Sequence, residues 1–355
     1  MKKIIIFFLI FFTQFLNLRS NEPKLEELIK GLKNPWSLSF ITDENILITE
    51  KSGNLLKVNL ANKKINKLTH NLNILEDGQG GLLEVLFDNN EIYVSYSENR
   101  GGGKSSTSVA KAQIKDRDLN FKNIFRSEPP INSGYHFGSR LVIKDDYLFI
   151  TAGERGKGMI AQDPKKHPGS IIRVHLDGSI PSNNPKYEDK KNWLPEIYQI
   201  GVRNPQGMAL SPFNDEIYLT NHGAKGGDWL GIVKKAENYG WKILGWGGTN
   251  YTGTKIGPKW EPGFTKAIKY WVPSIAVSSM IIYKGNEFQE WNGDALITSL
   301  KDQSLRKIKF KDNNFLNEDI VFKETIGRIR DIEIQKKTGE IFLLTDQGSL
   351  WRLYK

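Results

Sequence analysis

With 355 residues, 39% of them hydrophobic and 25% charged, the chain is long enough for one large domain or two ordinary ones. It contains no cysteine, which excludes disulfides, thiolate metal sites and cysteine nucleophiles. Its net charge of +10 comes from lysines scattered among Asn and Asp without a long basic run, so they read as solvated surface and no nucleic-acid partner is expected.

Residues 1–20 (MKKIIIFFLIFFTQFLNLRS) carry two lysines, an apolar run from Ile4 to Phe12 and a polar end. The run is short for a membrane span and is read as a signal peptide cut near Ser20, with an uncleaved anchor as the alternative. Cleavage would leave a mature chain of residues 21–355, still at +7, with no stable membrane insertion. Residues 25–32 (LEELIKGL) have helical spacing to the eye, yet are expected to form an outer strand beside the C-terminal strands.

Six stretches then resemble one another: DENILITE (43–50), NNEIYVSYS (89–97), DDYLFITAG (145–153), NDEIYLTNHG (214–223), NGDALITSL (292–300) and TGEIFLLTD (338–346). Each opens on turn residues, continues as an apolar run and ends in a polar loop, the signature of one repeated strand. An amphipathic strand precedes each, as in PWSLSF (35–40) or GSRLVI (138–143), and another follows most of them, as in SIIRVHL (170–176). The fold class expected is all-β: one domain, a six-bladed β-propeller with four-stranded antiparallel blades. Two β-sandwiches would not explain why the same strand recurs six times. Segments 155–169, 178–199 and 223–272, rich in Gly, Pro, Asn and Lys, are expected to be loops. GGGKSS (101–106) lacks the first glycine of a phosphate loop and is read as a hairpin turn.

The innermost strands of a propeller run the same way along its channel, so residues at their starts gather at one mouth. Those residues are Trp36, Gln79, His136, Arg203 with Asn204, Ser278, and Arg328 with Arg330; the loop after the fifth repeat adds Lys301. Converging cations suit a polyanionic ligand, arginine offering planar, bidentate donors to carboxylates. For Arg328 and Arg330 the alternative is a solvent-facing strand with Asp331 as ion-pair partner. His136 precedes one strand and Glu154 follows the next, so a hairpin could join them as a general base with its orienting carboxylate; a hydrogen-bonded turn histidine is the alternative. In TNHGAKGGDWLG (220–231) the glycines allow backbone carbonyls to face a hard cation, against the alternative of an ordinary loop. The five histidines show no close metal-ligand spacing.

Several of these segments, among them GQGGLLEV (78–85), HFGSRLVI (136–143), TAGERG (151–156), IGVRNPQGMALSP (200–212), NHGAKGGDWLG (221–231) and GRIRDIEI (327–334), resemble the soluble pyrroloquinoline-quinone (PQQ) sugar dehydrogenases, and GER with AQD (161–163) resembles their aldose sugar dehydrogenase branch. The resemblance implies a periplasmic six-bladed propeller that oxidises aldose sugars to lactones with PQQ and calcium, passing electrons to an unidentified periplasmic acceptor. It also implies roles: His136 as base, Glu154 orienting it and Arg203 beside the quinone oxygens. Gln79, Asn204, Lys301, Arg328 and Arg330 would bind the cofactor, and the carbonyls of Gly223 and Ala224 would ligate calcium. Ala224 and Trp229 depart from the family pattern, and Val272, with Trp271 adjacent, stands where a residue stacks on the cofactor. A propeller lactonase and a non-catalytic binding propeller are the other functions weighed.

Overall fold

In a computed structural model describing residues 22–114 and 117–355, six sheets form a ring. The expected signal peptide lies outside the described residues. Each of the six similar stretches is the second strand of a blade: Asn45–Glu50, Glu91–Asn99, Tyr147–Ala152, Ile217–Asn221, Ala295–Ser299 and Ile341–Thr345. The innermost strands are Pro35–Thr42, Leu82–Asp88, Gly138–Lys144, Pro205–Leu210, Val277–Ile282 and Ile329–Ile334, and each neighbours the next around the channel.

The second strands are apolar on both faces because each blade is covered on both sides by its neighbours. Leu47 enters the cluster between blades 1 and 2, whereas Ile46 and Ile48 enter the one between blades 6 and 1. Phe149 likewise faces blade 4, and Leu148 and Ile150 face blade 2. Period-two alternation thus persists, but both sets are apolar and the sequence shows an unbroken run.

The hydroxyl of each run has a separate use. All six innermost strands carry a register shift close to their start, as at Gly138/Leu141 and Pro205/Gly207. In four blades a Ser or Thr of the second strand accepts from the freed N–H: Thr49 from Ser37 (3.1 Å), Ser95 from Glu84 (3.1 Å), Thr151 from Arg140 (2.9 Å) and Thr298 from Ser279 (3.0 Å). Ser95 then donates to the Ser139 carbonyl of the next blade at 2.6 Å, and Thr49 to that of Leu83. The shifts re-aim side chains at the mouth, and the hydroxyls satisfy the backbone groups that the shifts release.

The ring closes through Lys24–Ile29, which pairs antiparallel with Leu350–Tyr354 as the outer strand of blade 6. Three expectations about loops need correction. Residues 223–272 contain Asp228–Ile232 and Lys269–Trp271, the third and fourth strands of blade 4, and residues 178–199 run into Ile197–Ile200, the outer strand of blade 3. Gly158–Gln162, within 155–169, is a short 3-10 helix. Glycine and proline around these short strands hide them. Gly101–Gly103 form the turn joining two strands of blade 2, as read.

Candidate active site at the channel mouth

A cavity of ≈ 240 Å³ opens at the start of the inner strands and takes lining residues from every blade. Its apolar floor is a small cluster of Trp36, Leu83 and Phe137, buried side chains from blades 1, 2 and 3. The rest of the lining is mainly polar, with Gln79, Asn204, His222, Lys51, Arg328 and Arg330, alongside Ala276 and Leu300.

His136 sits on the entry turn of blade 3 with φ of 51°, a left-handed conformation, and its imidazole meets Glu154 just past the second strand. Its Nδ1 lies 2.6 Å from Glu154 Oε1, and Glu154, 2% exposed, also accepts from the Gly158 N–H at 2.6 Å. Burial opposes ionisation of Glu154, but the bonds to His136 and Gly158, with the field of Arg203, hold it below the usual carboxylate range. A carboxylate only accepts, so Nδ1 carries the proton and Nε2 keeps a free lone pair. Burial, reinforced by Arg203 and opposed by the Glu154 bond, lowers the imidazole pKa from 6.5. The turn is held from below by Gln79, whose Oε1 accepts from the His136 N–H at 2.8 Å.

Arg203 is 5% exposed, its guanidinium 5.4 Å from the Trp241 ring centroid, and among the described residues it has no ion-pair partner. Asn221 Oδ1 accepts from the backbone N–H groups of both Arg203 and Asn204 at 2.9 Å, and Asn204 Oδ1 accepts from the Gly138 N–H at 3.0 Å, joining blades 3 and 4. Arg328 and Arg330 converge on one carboxylate, but it is Asp346 rather than Asp331: Nε to Oδ2 is 2.9 Å for Arg328, and Nε to Oδ1 is 2.8 Å for Arg330. Asp331 faces the channel and pairs with Arg140 at 2.7 Å.

Two sequence expectations fare differently. Ser278 is wholly buried and donates to the Ile329 carbonyl of blade 6 at 2.6 Å, so it joins blades instead of lining the mouth. Lys301 follows the cavity residue Leu300, but its side chain is exposed and does not line the cavity.

The 220–231 loop folds back on itself. A Cβ at Gly223 would come within 2.2 Å of the Gly226 carbonyl oxygen. Asp228, fully buried, accepts from the Gly223 N–H at 2.8 Å through one oxygen and from Ser274 Oγ and the Ala276 N–H through the other, both at 2.7 Å. Among the described residues no donor is bonded to the carbonyl of Gly223 or Ala224. Trp229 is buried and stacks on Tyr239, and Trp271 turns to Glu318, whereas Val272 stays 53% exposed beside Gly226 and Gly247.

Sequence reasoning missed Lys51, Asp346 and His222. Lys51 donates to the Gly78 carbonyl at 2.7 Å. His222 has its Nε2 buried without a hydrogen-bond partner, and burial, opposed by Asp228 and reinforced by Arg203, pushes its pKa down to about 4. All three follow the hydroxyl of a second strand within two residues, as Lys301 follows Thr298 by three. Extending the repeat comparison to those loops would have found them.

Deeper in the channel Arg140, 2% exposed, bonds Glu84 at 2.6 Å as well as Asp331, and donates to the Gln206 carbonyl at 2.6 Å. Two acids share one cation there. Burial, only partly offset by Arg140 and aided by Asp331, pushes the Glu84 pKa up to about 8.

Residues 32–352 match the family model described as Glucose / Sorbosone dehydrogenase. The aldose sugar dehydrogenase YliI of Escherichia coli is 34% identical over 338 residues, covering 92% of this chain and 90% of the relative. Quinoprotein glucose dehydrogenase B of Acinetobacter calcoaceticus is 24% identical over 423 residues, covering 94% and 87%. The crystal structure of the soluble aldose sugar dehydrogenase from Escherichia coli in its apo-form superposes with a TM-score of 0.87 at 32% identity, over 93% of this chain and 99% of that one.

Proposed function

The chain belongs to the glucose/sorbosone dehydrogenase family, and from that premise we propose that it is a periplasmic quinoprotein oxidising aldose sugars at the anomeric carbon to lactones, with PQQ and calcium. The observation that carries this reading is the half-buried His136 bonded to the buried Glu154 beside Arg203, a guanidinium with no ion-pair partner among the described residues.

The residues present fit both groups. PQQ is a flat tricarboxylate: the apolar cluster suits its rings, and Arg328, Arg330, Asn204 and Gln79 would hold its oxygens, while Lys301, exposed outside the cavity, would have to turn inward to join them. The unpartnered Nε2 of His222 is a further buried polar atom that a bound guest would satisfy. The carbonyls of Gly223 and Ala224 would ligate calcium, in a loop so tight that residue 223 has no room for a side chain. When bound, PQQ supplies the acceptor for hydride from the sugar.

The protein's own part is proton transfer and field. His136 takes the proton of the anomeric hydroxyl on Nε2, while Glu154 holds Nδ1–H and stabilises the imidazolium that forms. Arg203 lowers the energy of negative charge developing next to it, and does so strongly because it is buried and forms no ion pair among the described residues.

The test is reconstitution with PQQ and calcium, followed by dye reduction with a panel of aldoses. His136→Ala should bind the quinone as the wild type does and turn nothing over, because a base acts in the transition state. A wild-type holoenzyme that reduces no dye with any aldose would sink the proposal.

A further inference from the structure

Tyr135 immediately precedes the base, is 62% exposed, and its ring centroid lies 5.9 Å from that of His136 at an interplanar angle of 51°. Exposed aromatics are common on protein surfaces and need no explanation singly. This one differs in its mounting. The backbone beneath it is fixed by Arg155, itself 2% exposed, whose guanidinium donates to the carbonyls of Tyr135 at 3.0 Å, Ser105 at 2.8 Å and Ser133, and lies 3.7 Å from the Phe137 ring centroid. The Gln79 N–H adds a bond to the Gly134 carbonyl at 2.7 Å. The ring of Tyr135 passes over Gly156, where a Cβ would lie 3.7 Å from Cδ2.

A buried, multiply bonded arginine therefore fixes the backbone that carries a ring left largely in water. That arrangement does little for folding, since the exposed ring buries little apolar area. It does pre-organise a flat contact surface that loses little entropy when a guest lands on it. The face of an aromatic ring is electron-rich, and one face of a pyranose is a patch of C–H groups. A sugar whose anomeric hydroxyl reaches Nε2 of His136 must lay the rest of its ring beside that imidazole.

We propose that Tyr135 is a specificity-determining residue: the platform on which the C–H face of the aldose pyranose stacks while its anomeric hydroxyl is held at His136. This rests on the dehydrogenase reading given above.

The experiment uses holoenzyme loaded with PQQ and calcium, comparing Tyr135→Ala, Tyr135→Phe and Tyr135→Trp with the wild type. Loss of the ring should raise KM for the aldose about tenfold with kcat little changed, and Phe and Trp should keep KM within about threefold of the wild type. PQQ affinity, followed by absorbance titration, should be the same in all four and reports that each variant is folded. Unchanged KM in Tyr135→Ala overturns the stacking role. So does an equal rise in Phe and Ala, which would assign the effect to the hydroxyl, or a fall in kcat alone, which would make Tyr135 a support for His136. Those outcomes need an active wild type, whereas a wild type inactive on every aldose removes the dehydrogenase reading and the stacking proposal with it.

Discussion

Replacing Glu154 by Gln changes one charge and almost no volume, yet it should nearly silence the enzyme. The carboxylate now accepts twice, from His136 Nδ1 and from the Gly158 N–H, both at 2.6 Å. An amide has one accepting oxygen and one donating nitrogen. If its oxygen faces Gly158, its NH₂ faces Nδ1 and drives the imidazole proton to Nε2, the atom that must accept from the sugar. If its oxygen faces His136, two donors confront each other at Gly158 in a site 2% exposed. Glu154 also raises the His136 pKa through its bond and its charge, so either arrangement leaves a weaker base. Loss of general-base action together with the wrong tautomer corresponds to a fall in kcat of roughly 10²–10⁴, or about 3–5 kcal/mol. The assay is dye reduction at saturating aldose, paired with a PQQ titration that should match the wild type. A kcat within about fivefold of the wild type would refute the tautomer argument.

Arg330→Ala should weaken PQQ uptake by roughly 10- to 100-fold, the loss of a charge-assisted hydrogen bond, as read by absorbance titration; undiminished affinity would take Arg330 out of the binding set. For Glu84 the folded-state pKa of about 8 lies above its ordinary 4.5, so its contribution to stability is complete below about pH 4.5 and is lost as pH rises through about 8. Glu84→Gln keeps the neutral form, so unfolding free energies measured at pH 5 and pH 9 should differ less in the variant than in the wild type. Equal slopes would mean that Glu84 is ionised throughout.

What could be read from the chain depended on repetition. The six apolar runs announced the blades, and LEELIKGL was placed correctly against the last strand because a ring needs its edge covered, although its spacing looked helical. Asp228–Ile232 stayed hidden because its glycine-rich approach reads as a loop, and its Trp229 is buried against Tyr239 and Trp246, which no local pattern relates to it. At the mouth, positions at the starts of the inner strands were legible by repeat equivalence, which brought Gln79, His136, Asn204, Arg328 and Arg330 together. Partners were not: whether Asp331 or Asp346 meets the two arginines depends on the register shift at Ile329/Asp331, a one-residue matter that decides which side chain faces the channel.

Lys24–Ile29 and Leu350–Tyr354 belong to one sheet though more than 300 positions separate them. A chain made only as far as residue 349 cannot finish that sheet: the early strand must wait, its edge unsatisfied, until residues 350–354 have been made and have found it. Joining distant segments is slow because the loop must close before any contact rewards it. This seam is therefore expected to form late, and deleting residues 24–29 should leave five sound blades and a sixth that peels from Leu350 onward, visible as fast amide exchange confined to that blade.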